Sequence, residues 1–235
     1  MNLDPRFWAP RFQTKFITEI NTFMRVLEER LLPGFSEIES EAEAIQNEEW
    51  SRLLSTTYSE DGDCSEIAEQ SVHAGITYYE QMTETRQSVI NLFASGLYHL
   101  FEQQVMFFHR KQVLSLSEEN DKGLFKLEVF QERLRCNGVE VAEFGCWSKI
   151  EELRLVANVV KHAAGKSSEG LIQVRPDLFS PTCNQESLPS FPGSSDRVFM
   201  PLGGNDLYVS HNDILRYQKA VIAFWDELSE AILNR

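Results

Sequence analysis

Residues 151–165, EELRLVANVVKHAAG, hold the arrangement in this chain most able to do chemistry. At helical pitch Arg154, Asn158, Lys161 and His162 fall within a sector of roughly 100°. Leu153, Leu155, Val156, Ala157, Val159 and Val160 cover the rest of the circumference. A helix apolar over most of its surface is normally buried, so a polar stripe on it is either a solvent edge or the lining of a site. As a site it would suit phosphodiester cleavage without a metal. His162 would serve as acid or base near neutral pH, Arg154 and Lys161 would hold the phosphate, and Asn158 would orient them. As an edge, Lys161 and His162 would only complement the negative end of the helix dipole.

A second set lies in YHLFEQQ, where His99, Glu102 and Gln103 project together from a helix. A carboxylate and a histidine three apart can bind iron or manganese in a bundle, but they need matching ligands from other helices. No second pair of that kind occurs, so no metal is expected. His99 and Glu102 should instead bond to each other or to the stripe across a helix contact. Nucleophile elbows and phosphate loops are absent. AAGKSS contains Gly-Lys-Ser without the first glycine or a preceding strand, and no cofactor is expected.

The formal net charge is −14, which argues against broad non-specific nucleic-acid binding. Its placement is uneven. Residues 36–80 carry twelve Asp or Glu against one base, Arg52. Residues 149–175 carry Lys149, Arg154, Lys161, Lys166 and Arg175 against three glutamates, a patch able to contact a few phosphates of RNA. The acidic run reads as a solvated helix face or as a docking surface for a basic protein partner. Four cysteines, Cys64, Cys136, Cys146 and Cys183, give neither a zinc signature nor a disulfide framework. The first 15 residues lack the apolar core of a signal peptide, and no apolar run is long enough to span a membrane, so a cytoplasmic location is expected.

The elements that must position these residues are helical. Phe12, Phe16, Ile20, Phe23, Leu27 and Leu31 repeat at three- and four-residue steps until Pro33-Gly34. A proline-free helical pattern runs from Ser65 to about Lys111, as one long helix or two with a break near 83–85. Helices are predicted over 124–136 and 147–164, with Gly165 as the C′ residue of the second. Another short helix would be capped by Ser167 or Ser168. Residues 197–209 read as a small β-hairpin around Gly203-Gly204-Asn205. Ser210 and Asp213 cap a last helix over 212–233, whose Phe224-Trp225 would sit in the core or at a subunit interface. The prediction is a mostly α fold of five to seven helices in a single domain, residues 1–235. The acidic segment 36–64 and the Pro/Ser-rich loop 176–196 would be insertions in it.

Asn-x-x-x-His late in a helix of an all-α chain resembles the HEPN superfamily of bacterial proteins, whose signature is Arg, four to six residues, then His. Gly165-Lys166-Ser167 and Arg175-Pro176-Asp177-Leu178-Phe179 resemble runs in bacterial proteins of this kind. The resemblance implies an α-helical bundle that acts in defence or a toxin–antitoxin-type system. Many members are metal-independent ribonucleases with a site formed across a homodimer. Asn158 and His162 match the pattern, but the arginine position is Ala157. Arg154, one turn earlier, would have to replace it, with Lys166 and the His99–Glu102 pair as further binding residues. Two functions are therefore open: a metal-independent ribonuclease, or a non-catalytic module that binds a partner.

Overall fold

In the computed structural model, residues 4–57, 64–180 and 198–234 are described. The fold is mostly α, and no strand occurs among the described residues. None of the described helices is long and apolar enough to cross a membrane.

Asp4 caps α1 (Pro5–Arg11) by accepting from the Phe7 amide, with Pro5 in the first turn where its missing N–H costs nothing. A π turn (Phe12–Ile17) passes into α2 (Thr18–Val26). A second π turn (Leu27–Leu31) and a 3₁₀ turn (Leu32–Phe35) end the path at Pro33-Gly34. The acidic segment forms α3 (Ile38–Thr57). It is followed by the single unbroken α4 (Cys64–Phe108), whose 45 residues reach about 66 Å at 1.5 Å per residue. The shorter α5 (Leu127–Arg135) leads through a turn at Gly138, φ 73°, to α6 (Trp147–His162), α7 (Lys166–Val174) and α8 (His211–Leu233). Ser210 and Asp213 cap α8 reciprocally, as their spacing predicts.

The C-terminal half of α4 packs with α6, α8 and the α1–α2 path around an aromatic centre. Phe12, Phe16, Phe101, Phe224 and Trp225 meet there at ring separations of 4.7–6.2 Å. Phe224 and Trp225 are fully buried inside this chain, which removes them as an exposed subunit interface. The centre's polar groups are paired: Trp225 Nε1 donates to Gln104, and Gln104 Nε2 donates to the Phe16 carbonyl and to Glu19.

The hairpin expected before α8 does not form among the described residues 198–209, and Arg197 lies outside them. The physical reason is a set of competing partners on α4. Asn91 Nδ2 donates to the carbonyls of Pro201 and Leu207, both at 2.8 Å. Ser88 Oγ donates to the Leu202 carbonyl and Gln87 Nε2 to that of Val209. Asp206 accepts from the amides of Phe199 and Met200, closing the turn on itself. Gly204, at φ 84°, lies so close to α4 that a Cβ there would stand 2.0 Å from the Glu84 carbonyl oxygen. Most of the expected 176–196 loop is outside the described residues. Its beginning is the 3₁₀ turn Pro176–Phe179.

Candidate functional site

The carboxylate of Glu227 on α8 accepts the amides of Gly145 and Cys146, just ahead of α6. Ile150, Leu153, Val156, Val159 and Val160 bury its apolar face. Ala157 is wholly buried too, so the position matching the arginine of the HEPN pattern faces the core and not the stripe. The helix ends two residues before the expected place. Ala163, not Gly165, is its C-cap, at φ 58°, ψ −132°, a backbone region that strains an L-residue. Gly165 is instead extended and starts α7, where its amide donates to Ser168 Oγ and its carbonyl accepts from the same hydroxyl.

The stripe has two unlike ends. At the N-terminal end Arg154 Nε and Nη2 donate to Glu151 at 3.0 and 2.8 Å. Although burial opposes it, the Glu151 carboxylate holds the Arg154 guanidinium above its ordinary pKa. Tyr98 of α4 lies within electrostatic reach of both Arg154 and Glu102, and burial drives its phenol well above the ordinary range. His99 Nδ1 meets Glu102 at 3.2 Å, a partly exposed pair on the same stretch of α4. At the C-terminal end Lys161 and His162 are exposed, with Asn158 half-buried between the two ends. Asn158, Lys161 and His162 have no side-chain hydrogen bond or ion pair to any described residue.

Two contacts fix the direction of packing. Tyr98 lies near Arg154, while Ser88 and Asn91 hold the 201–207 turn that adjoins His162. Thus α4 passes α6 antiparallel, and His99–Glu102 belong to the Arg154 end. Eight residues separate Arg154 from His162, about 12 Å along the axis. The bond to Glu151 draws the guanidinium further toward the N-terminus. His162 therefore opens not toward Arg154 but onto a groove of about 390 Å³, formed with Lys161, Ala163 and residues 199–203. The side chains of Phe199, Met200 and Leu202 that line it are exposed. Lys166, also exposed, begins α7.

Ion pairing reduces the basic patch. Lys149 is bonded to Glu152 at 2.5 Å, Arg154 to Glu151, and Arg175 to three carboxylates. Of the five bases, Lys161 and Lys166 alone have no ion-pair partner among the described residues. Arg175 donates to Glu152 at 2.6 Å, Asp213 at 2.8 Å and Asp177 at 2.6 and 2.8 Å. Tyr217 also donates to Glu152, at 2.9 Å. Burial raises the Glu152 and Asp213 pKa values. Bonds from Lys149, Arg175 and Tyr217 to the first, and from Ser210, Arg175 and Arg216 to the second, outweigh it and hold both below the ordinary range.

This network was not singled out by spacing, yet one signal was present. Glu152 stands in helical register with Val156 and Val159 on the buried face, and a carboxylate there requires a cation. His109 is also fully buried. Its Nε2–H donates to the Leu124 carbonyl at 3.0 Å, and burial lowers its pKa. No group of three or more His, Cys, Asp or Glu side chains able to share a metal ion occurs among the described residues.

Comparison of the chain with protein-family models, curated proteins and solved structures finds no match.

Proposed function

We propose that this chain is a non-catalytic, partner-binding helical module, HEPN-like in character, of a bacterial defence or toxin–antitoxin-type system. The resemblance at Asn158–His162 and Arg175–Phe179 supports the class of system. The observation that carries the non-catalytic reading is the place of the arginines around His162. Ala157, at the signature position, is buried in the core, and Arg154 is bound to Glu151 about 12 Å away along the helix. Among the described residues, a phosphate beside His162 would meet Lys161 and no arginine, without the bidentate donor that stabilises phosphoryl charge best.

One observation favours the second reading, a metal-independent ribonuclease. Lys161 and His162 are exposed, without a partner among the described residues, and beside a groove, as a site would require. RNA cleavage in excess chelator separates the two, with the purified chain compared with His162→Ala, Lys161→Ala and Arg154→Ala. The expected result is the same background in all four. Cleavage by the parent chain that is lost in His162→Ala would overturn the non-catalytic reading.

A further inference from the structure

The acidic segment does not join the main core. Its helix α3 lies along the N-terminal half of α4 as an antiparallel arm, with Tyr78 donating to Glu41 at 2.9 Å. Ile38, Ala42, Leu53 and Ile67 form a thin apolar seam there, separate from the aromatic centre. The helices approach most closely at Gly75, where a Cβ would lie 3.0 Å from the Ala42 carbonyl oxygen. Two helices in such contact bury one face each and leave their flanks open.

One flank is apolar. Val72, Ile76 and Tyr79, at i, i+4 and i+7 on α4, are 41%, 51% and 43% exposed. Ile76 and Tyr79 line a groove of about 320 Å³ with Gly75, Ala42 and Gln46, rimmed by Glu39, Glu43 and Glu80. Among the described residues none of these three glutamates has an ion-pair partner. The one base between residues 36 and 80, Arg52, is already bonded to Glu49 at 2.6 Å.

We propose that this groove between α3 and α4 receives an amphipathic helix of a basic partner protein, which completes the two-helix arm as a three-helix bundle. The i, i+4, i+7 stripe matches helix-in-groove recognition. The unpaired glutamates on the rim select Lys and Arg at the flanks of that helix. A second copy of this chain is a poor occupant, because it would bring another net −14 against the same acidic arm. Nucleic acid is repelled for the same reason.

The test uses the full chain and a fluorescein-labelled peptide of about 18 residues, long enough for five helical turns. Leucines take the i, i+4 and i+7 positions of one face, and lysines occupy the others. A scrambled peptide of the same composition is the control, and binding is read by fluorescence anisotropy at low and high salt. The patterned peptide should bind, weaken with salt, and lose affinity about tenfold or more on Ile76→Asp or Tyr79→Asp. Both side chains are about half exposed and lie outside the buried seam, so circular dichroism should show the arm intact in each variant.

Equal binding of the patterned and scrambled peptides, or unchanged binding by both variants, would overturn the proposal. So would sedimentation showing a dimer of the chain that Ile76→Asp dissolves, because the second copy would then be the occupant. The groove rests on the partner-binding reading above, yet the two fail separately. His162-dependent RNA cleavage sinks that reading, whereas pattern-blind peptide binding sinks the basic helix in the groove.

Discussion

Replacing Arg175 by Met keeps much of the side chain's length and removes its charge from between two buried carboxylates. Arg175 is 13% exposed, Glu152 9% and Asp213 4%, whereas Asp177 is 60% exposed. The Asp177 pair, open to water, contributes at most about 1 kcal/mol. Breaking a buried pair by removing one partner costs about 3–5 kcal/mol, because the other charge is stranded. Here the stranding is partial: Glu152 keeps Lys149 and Tyr217, and Asp213 keeps Ser210 and Arg216. The expected loss is therefore near the lower end, about 3 kcal/mol, and a melting temperature lower by roughly 6–12 °C for a chain of this size.

Urea unfolding followed by circular dichroism at several pH values measures both the loss and its origin. In the parent chain the Arg175 bond holds Asp177 below its ordinary pKa. Hydrogen bonds do the same for Glu152 and Asp213 against the opposing effect of burial. A folded pKa below the unfolded one gives stability that is present above the ordinary carboxylate range, about pH 4, and lost as pH falls through the lowered values. In Arg175→Met that depression shrinks, so the acid limb of the stability profile should flatten. A loss under about 1 kcal/mol with an unchanged acid limb would refute the reasoning and free Arg175 for a ligand.

Two further substitutions probe the turn and the helix end that flank the His162 groove. Gly204→Ala would place a Cβ 2.0 Å from the Glu84 carbonyl oxygen at φ 84°, so the turn must lift from Asn91 and Ser88. A destabilisation of about 2–4 kcal/mol in urea is expected, with faster amide exchange over 199–207, and an unchanged chain would contradict the close seating. Ala163→Gly should relieve the φ 58°, ψ −132° backbone and stabilise the chain by roughly 0.5–2 kcal/mol after the flexibility of glycine is discounted. A lower midpoint in urea would show that the junction of α6 and α7 carries no strain.

Much of the fold was legible because helix periodicity is a property of one segment. The core stripe of Phe12, Phe16 and Ile20, the proline-free run that became α4, and the Ser210–Asp213 cap each depend on residues a few positions apart. The hairpin expected around Gly203-Gly204 failed for the opposite reason. Its apolar runs and turn residues were suitable, but Asn91, more than a hundred positions away, took the carbonyls that a cross-strand ladder would have used. The helix end at Ala163 was missed because Gly165 offered the cheaper C′ conformation, and the Gly165–Ser168 bonds at the start of α7 used it otherwise.

The sequence by itself determined that four polar side chains share one sector of an otherwise apolar helix, and that acid is concentrated between residues 36 and 80. Tertiary structure alone decided what those groups face. It placed Arg154 beside Tyr98 and the His99–Glu102 stretch, with Lys161 and His162 at the open end. It set Arg175 between Glu152 and Asp213, partners 23 and 38 positions away. It also left the Val72–Ile76–Tyr79 stripe uncovered. The physical reason is that amphipathicity says only that a face must meet something. Which partner it meets depends on how whole helices pack, and that is a sum over contacts distant in the chain.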